Sequence, residues 1–253
     1  MRARAIVIKK QNSNEYDQLI TCYTREFGKL TAVAKSVLKN NSIQAMHLDV
    51  LNMVDFELVT GRSMPIIASA QLENGYCHLK KSLARLAMSY FFIEVIDKFV
   101  FDNERDDIFW NFLTDILDGL DRNTVLSDDE MSVFFRKKQA EFLAIMGHAP
   151  NMAECTKCYR PAKGNYTAYS VELGGVLCPD CFLAGNRGVI VRKGPDFSSS
   201  TESRDRKIED PRFASSGFAG RANRDGDNIS EIIFENIGGK KLESLSFINS
   251  VVK

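Results

Sequence analysis

Only three histidines and a single tryptophan occur in 253 residues, which leaves little of the usual equipment for catalysis. His47, His78 and His148 have no neighbours that suggest a triad or a ligand set. Neither a Gly-x-Ser-x-Gly elbow nor a phosphate-binding loop is present, so nothing points to serine-hydrolase or P-loop nucleotide chemistry. No apolar stretch free of charges reaches transmembrane length. The opening Met-Arg-Ala-Arg lacks the pattern of a secretory leader, so the expected compartment is a reducing cytoplasm. Net charge is also missing: 33 basic residues balance 33 acidic ones, and overall charge names no partner. Distribution is the better guide.

Cysteine is where the sequence becomes specific. Cys155 and Cys158 form one Cys-x-x-Cys turn, Cys178 and Cys181 form another, and nineteen residues separate them. A two-residue gap lets both sulfurs of a turn face one point, and two such turns supply the four soft corners of a tetrahedral zinc site. With all four positions filled by thiolates, no corner is open to water, and the ion would be structural. Two disulfides or a redox dithiol pair are the alternatives for the same cysteines. Between the pairs, Tyr166 to Leu173 alternates like a strand, Gly174-Gly175 supplies a turn, and Val176-Leu177 leads back. Cys22 and Cys77 stand alone.

From Ala3 to Glu73 the apolar pattern has the short period of strands. Five runs are expected at Arg4–Lys9, Leu19–Thr24, Lys29–Lys35, Asp49–Thr60 and Met64–Leu72, with turns at Gly28 and at Gly61-Arg62. Five short strands ahead of helices predict an OB-type barrel, an architecture that often holds oligonucleotides. The first 45 residues carry Arg2, Arg4, Lys9, Lys10, Arg25, Lys29, Lys35 and Lys39 against Glu15, Asp17 and Glu26, with Tyr16, Tyr23 and Phe27 among them. Cations neutralise phosphates and aromatic faces stack bases. A solvated basic surface over core aromatics would give the same pattern.

After Gly75 the period becomes helical. Leu79, Leu83, Leu86, Tyr90 and Ile93 mark one stripe, and Phe91, Phe92, Val95, Ile96 and Phe99 fill much of the remaining surface, as in a buried central helix. A second helix is expected over Asp107–Leu120. A third opens at a Ser127/Glu130 capping box and runs to Gly147, with His148 at its end. Twelve acids between Glu94 and Glu130 face only Lys98, Arg105 and Arg122, a balance that repels phosphate. Adjacent acids at helix starts are read as complements to the helix dipole rather than as a catalytic pair.

Around the cysteines, Lys157, Arg160, Lys163, Arg187, Arg192 and Lys193 outnumber Glu154, Glu172 and Asp180, so this region could extend a basic surface. From Pro195 about thirty residues are rich in Ser, Gly, Arg and Asp and too poor in apolar groups to offset ordering entropy. Order is expected again at Ile229–Ile237 and Lys240–Val252. The fold class is therefore α+β, with an OB-fold nucleic-acid-binding domain at 1–75, a helical domain at 76–150, a four-cysteine zinc module at 151–194, and a polar linker and C-terminal segment at 195–253.

Ala5-Ile6-Val7-Ile8, Glu15-Tyr16-Asp17-Gln18-Leu19, Tyr23-Thr24, Gly28-Lys29 and Ala34-Lys35 resemble, in order and spacing, the opening of the bacterial RecO family of recombination mediators. Phe142 to Pro150, leading into Cys155, and the ending Gly239-Lys240-Lys241-Leu242-Glu243-Ser244-Leu245-Ser246-Phe247 are similar to segments of the same family. The resemblance implies a non-enzymatic DNA repair protein, nucleoid-associated, that binds single- and double-stranded DNA and anneals strands. It would act with RecR, recognise the acidic tail of the single-strand-binding protein, and help load RecA. The family's apolar helices between metal module and terminus have no counterpart here, so a thinner core, or a partner over the central helix, is expected. Two other readings stay open: a zinc-stabilised interaction adaptor that does not touch DNA, and a zinc-dependent nucleotide-modifying enzyme. The second would need a three-ligand site and an acid-base Glu, neither of which is visible.

Overall fold

The five barrel strands and the long helices form where the hydrophobic period predicts them, whereas the short helices Gln44–His47 and Pro179–Leu183 and the strand Val189–Arg192 carry no such signal. The computed structural model describes residues 1–122, 127–162, 166–192, 229–238 and 242–251. Lys163, Lys193, the polar stretch from Pro195 to Asn228 and the Gly239-Lys240-Lys241 of the ending lie outside the described residues. In chain order the elements are β1 (Arg2–Asn12), β2 (Gln18–Thr24), β3 (Gly28–Ala34), α1 (Gln44–His47), β4 (Met53–Val59) and β5 (Ile66–Asn74). There follow α2 (Cys77–Lys80), α3 (Leu83–Phe99), α4 (Asp107–Asp121) and α5 (Asp128–Ile145). The chain ends with β6 (Tyr166–Ser170), β7 (Gly175–Leu177), α6 (Pro179–Leu183), β8 (Val189–Arg192), α7 (Ile229–Gly238) and α8 (Glu243–Val251). The described residues fall into two compact units, drawn from Met1–Val125 with Leu242–Lys253 and from Leu126–Lys241.

In the first unit β1 to β5 close into a barrel of order β1-β2-β3-β5-β4. Every neighbour is antiparallel except β3 and β5, which meet in parallel at Val33 and Ile66. This is an OB-like barrel. Five strands enclose little space, and the interior alternates small and large residues to fit it: Ala3, Ala5, Ala32 and Ala34 beside Val7, Ile20, Phe56 and Leu58. A register shift between Val7 and Lys9 bends β1. Around that bend Ile6 and Ile8 are buried as well, because the outer face of the strand lies under helices of the same unit. The expected fourth run begins four residues early. Asp49 to Asn52 is a turn in which Leu51 takes φ 69° and Asn52 N–H donates to Asp49 O at 3.1 Å. Leu51 is a core residue delivered by a loop, which a strand pattern cannot distinguish.

Gly28 shows why the β2–β3 hairpin requires glycine. Its φ is 71°, and a Cβ there would run into the carbonyl oxygen of Glu104 on the loop between α3 and α4. That loop is tied down nearby, where Asn103 N–H donates to Lys29 O at 2.7 Å.

The helical run after Gly75 is two helices rather than one. Ser82 interrupts it and caps α3, so Leu79 belongs to α2. The stripe through Leu83 and Tyr90 is the wetter side of α3, while Met88, Phe91, Phe92, Val95 and Ile96 are buried. Phe92 sits edge-on to both Phe91 and Phe112, with ring centroids 5.1 and 5.8 Å apart. Arg85 donates to Leu120 O and Arg122 O, neutralising the carbonyl end of α4. The cover expected to be thin over the central helix is supplied in part by the chain's own end: α8 lies along α3. Glu94 of α3 accepts N–H bonds from Glu243 and Ser244, at 3.1 and 2.9 Å, and the Ser244 hydroxyl bond. A carboxylate from one helix thus caps the start of another.

In the second unit the capping box on α5 is complete, with Ser127 N–H on Glu130 Oε2 at 2.9 Å and Glu130 N–H on Ser127 Oγ at 3.3 Å. The helix ends at Gly147, φ 74°, where His148 N–H returns to Leu143 O at 2.8 Å. Phe142 of α5 packs on Phe234 of α7. Strands β7-β6-β8 form a three-stranded antiparallel sheet. The strand expected over Tyr166–Leu173 stops at Ser170, and Val171 to Gly174 make the turn.

Candidate nucleic-acid interface and metal centre

The barrel strands separate the eight cations singled out from sequence into paired and unpaired groups. Arg2 pairs with Asp55 at 3.2 Å, Arg4 with Glu73, Lys9 with Asp97 at 3.4 Å, and Lys10 with Asp49 at 3.0 Å. Exposed pairs of this kind contribute about 0–1 kcal/mol, but each cancels the field of its cation. Lys29 is different in kind. It is 8% exposed, its ammonium donates to Asp97 O at 2.7 Å and pairs with Asp102 at 3.2 Å. Its position makes it a brace between barrel and helices, and withdrawing it to meet a phosphate would leave the part-buried Asp97 carbonyl unmatched.

Arg25, Lys35 and Lys39 remain exposed, and among the described residues none of them makes an ion pair. They do not form one patch. Arg25 lies in the turn before β3 and Lys35 just after it, so the length of the strand, about 20 Å, separates them. Lys35 and Lys39 share one end of the barrel. There they border an open depression of about 480 Å³ lined by Lys35, Ser36, Lys39, Ser42, Gln44 and Ala68, among others.

Local hydrogen bonds build this end. Asp17, in the turn between β1 and β2, accepts Ser36 N–H at 2.6 Å and Asn14 Nδ2–H at 2.9 Å. The Ser36 amide first, and then Asn14, hold its carboxyl below the ordinary value. Ser36 takes φ 57° beneath that bond, and Leu38 N–H donates to Tyr16 O at 3.0 Å. The two loops are thereby sewn together. Tyr16, 45% exposed, carries the Lys39 ammonium 5.3 Å from its ring centre. The other two aromatics noted from sequence are elsewhere: Tyr23 is buried with its hydroxyl on Asp106 O at 3.2 Å, and Phe27 packs against the barrel core. The neutral polar rim escaped sequence reasoning because it carries neither charge nor aromatic rings, the features by which that stretch was read. The turn-forming run Lys39-Asn40-Asn41-Ser42 was the available signal.

The acid-rich stretch is largely engaged in architecture. Asp106 caps α4 through Ile108 N–H at 2.7 Å, Asp121 accepts Leu79 N–H at 2.9 Å, and Asp107 pairs with Arg105 at 3.1 Å. His47 Nδ1 accepts Leu72 N–H at 3.0 Å, a structural bond.

The four cysteines converge in the second unit. Cys155, Cys158, Cys178 and Cys181 place their sulfurs within 4.8 Å of one another, and no other residue joins the group among the described residues. Cys158 Sγ and Cys178 Sγ lie 3.7 Å apart. A tetrahedron with metal–sulfur bonds of 2.3 Å has edges of about 3.8 Å, so the spacing fits an ion at the centre. Each turn aims backbone N–H groups at its sulfurs. The Arg160 amide, joined by the Arg160 Nε–H at 3.4 Å, brings the Cys158 thiol down to about 6. Burial opposes ionisation of Cys155, but the amides of Cys178, Cys158 and Lys157 outweigh it and lower that thiol too. Burial raises Cys178, and it pushes Cys181 up to about 12 with the neighbouring sulfurs adding to it. Four crowded sulfurs therefore ionise together only around a cation. Arg160 also bonds Asp180 at 3.1 Å, fixing the guanidinium beside the cluster. Tyr159 takes φ 59° to complete the first turn.

Comparison with known proteins agrees with both halves. A family model described as the recombination protein O N terminal matches residues 1–76, and one described as the recombination protein O C terminal matches residues 80–194. The chain is similar to the DNA repair protein RecO of Moorella thermoacetica, 30% identical over 194 residues that cover 76% of this chain and 70% of the relative. It is 26% identical over 180 residues to the DNA repair protein RecO of Dehalococcoides mccartyi strain CBDB1, covering 71% and 69% of the two chains. With that of Cutibacterium acnes the identity is 27% over 182 residues, covering 71% and 73%.

Proposed function

The chain belongs to the RecO family of DNA repair proteins, and from that membership we propose that it is a recombination mediator that binds single- and double-stranded DNA and anneals complementary strands. Working with RecR, it would engage the acidic tail of the single-strand-binding protein and help load RecA onto the coated strand. The observation that carries the DNA-binding part is the end of the barrel where Lys35 and Lys39 stay exposed beside Tyr16, feeling the Asp17 charge but making no ion-pair contact among the described residues. Arg25 adds a separate phosphate contact at the far end of β3. Arg2, Arg4, Lys9 and Lys10 exchange weak surface pairs for phosphates as a strand approaches, and Lys29 braces the surface from beneath. Bringing two backbones onto a cationic face screens their mutual repulsion, and pairing then proceeds without any bond being made or broken in the protein.

The ion held by Cys155, Cys158, Cys178 and Cys181 we assign as zinc, in a purely structural role. The work then divides by segment: residues 1–75 hold nucleic acid, 76–150 supply the helical support, and 151–194 are folded around the metal.

Titrating a labelled oligonucleotide with the protein across a salt series tests this reading. Affinity should fall steeply as salt rises, and Lys35→Glu with Lys39→Glu should reduce the slope for a single strand by about 1.4, the share of two phosphates. Annealing should slow in the same variant while its thermal transition stays in place. Absence of saturable binding at low salt would favour the interaction adaptor instead.

A further inference from the structure

Beside the two unpaired lysines stands an apolar pair for which the fold has no use. Ile43 is 74% exposed and Met46 is 75% exposed. They are three residues apart on the single turn of α1, hence on one face of it. The other positions of that turn are engaged. Gln44 Nε2–H donates to Ala68 O at 3.1 Å, His47 bonds the Leu72 amide, Ala45 packs on the barrel core, and Leu48 is fully buried within it. Ile43 also occupies the N-cap position, where a Ser, Thr, Asp or Asn would bond a free amide; it makes no side-chain cap. Scattered single apolar residues on a surface need no explanation, but two large ones projecting together from a one-turn helix do.

Their neighbourhood identifies the occupant. Ile43 lines the same depression as Lys35 and Lys39, and the rest of its lining is Ser36, Asn41, Ser42, Gln44, Ile67 and Ala68, with no acidic residue. Apolar surface flanked by unpaired cations and neutral hydrogen-bonding groups matches a single strand of nucleic acid. Phosphates go to the lysines and an unstacked base lies against the apolar side chains. A duplex, with its bases stacked inside, could offer this face only phosphates and sugar.

We propose that Ile43 and Met46 form a base-contacting wedge that makes this end of the barrel prefer single strands with exposed bases, which are the substrates of annealing. The assignment rests on the DNA-binding reading above and goes beyond it in naming what touches the bases.

The test uses the full chain and two fluorescent probes, an oligothymidylate and an abasic strand of the same length. The wild type should bind the oligothymidylate about tenfold more tightly than the abasic strand. The double variant Ile43→Ser, Met46→Ser should lose about tenfold on oligothymidylate and nothing on the abasic strand, with the salt slope unchanged, because apolar contacts release no counterions. Both side chains are exposed, so the variant should melt with the wild type. A base preference that survives in the variant overturns the wedge and leaves the pair to a protein partner. An equal loss on both probes overturns it as well, since the effect would then lie in the backbone contacts. Failure of both probes to bind wild type at low salt would instead remove the DNA-binding reading itself.

Discussion

The barrel and the metal region solve the same problem, a small β-structure without much interior, in opposite ways. Among the described residues the barrel encloses fourteen buried apolar side chains in one cluster, from Ala3 round to Ile67. The cluster in the metal region has five, and two of those are Cys155 and Cys178 of the four-sulfur group. Fully burying a large aliphatic side chain is worth about 1.5–3 kcal/mol, so burial contributes several times more to the barrel than to the metal region. On the proposed zinc assignment, what the metal region lacks in burial it recovers from coordination. Stability in the barrel is therefore spread over many contacts, whereas in the metal region it is concentrated at one point.

The sharpest way to break that contrast is to remove the ion. A structural zinc contributes apparent binding energies of about 10–16 kcal/mol near neutral pH in small zinc-folded peptides. Chelation, or Cys178→Ser, should release one metal per chain and leave the amides of β6, β7 and β8 exchanging with solvent at nearly unfolded rates. Amides of β1 to β5 should stay protected. Hydrogen exchange read by mass spectrometry, with metal analysis on the same sample, makes the measurement. A metal-free preparation with β6 to β8 still protected would end the claim that coordination replaces burial.

The reciprocal perturbation is Gly28→Ala. It combines a left-handed φ with a collision against the backbone of Glu104, which no side-chain rotation can relieve. A cost of about 3 kcal/mol is expected, the sum of backbone strain and a forced loop shift. Denaturant unfolding should move by that amount for the barrel, with metal content unchanged. A variant as stable as the parent would mean that the loop between α3 and α4 yields easily, and that the barrel is less tightly braced than its hydrogen bonds imply.

What could be read from sequence divides along the same line. Period-2 runs located all five barrel strands, because burial on alternate residues leaves a mark in composition, and the cysteine spacing singled out the four sulfurs that the structure gathers within 4.8 Å. Local chemistry was equally legible: Ser127 and Glu130 lie three residues apart and form the cap they suggest. Long-range pairing was not. The five barrel cations that bind carboxylates find them 39 to 88 residues away, as in Lys10 with Asp49 and Lys9 with Asp97. A count of charges by segment cannot see such cancellation. Likewise, the pattern of α3 implies a central helix buried on most of its sides. Only the sides packed by α4 and α8 are covered, which leaves Leu83 and Tyr90 exposed, and α8 is remote in sequence.

The smallest effect concerns that remote partner. Glu94 receives the first amides of α8 across about 150 residues of chain and pairs with Lys98 at 2.6 Å. Burial works against its ionisation, yet the bonds from Lys98, Ser244 and Glu243 together outweigh it and hold the carboxyl below the usual glutamate value. A carboxyl depressed in the folded state adds stability that is fully present above its unfolded value, about 4.3, and is lost as pH falls through the lower folded value. Docking of α8 should accordingly loosen only under acid conditions, by about 1 kcal/mol, the scale of a charge-assisted cap. In Glu94→Gln the helix should be looser by that amount already at neutral pH and should show no further acid step. The Ser244 amide resonance, followed by NMR through an acid titration of both proteins, separates the cases. If wild type and variant titrate alike, the carboxylate is not what seats α8, and the apolar contacts of Leu245 and Ile248, both buried, hold it alone.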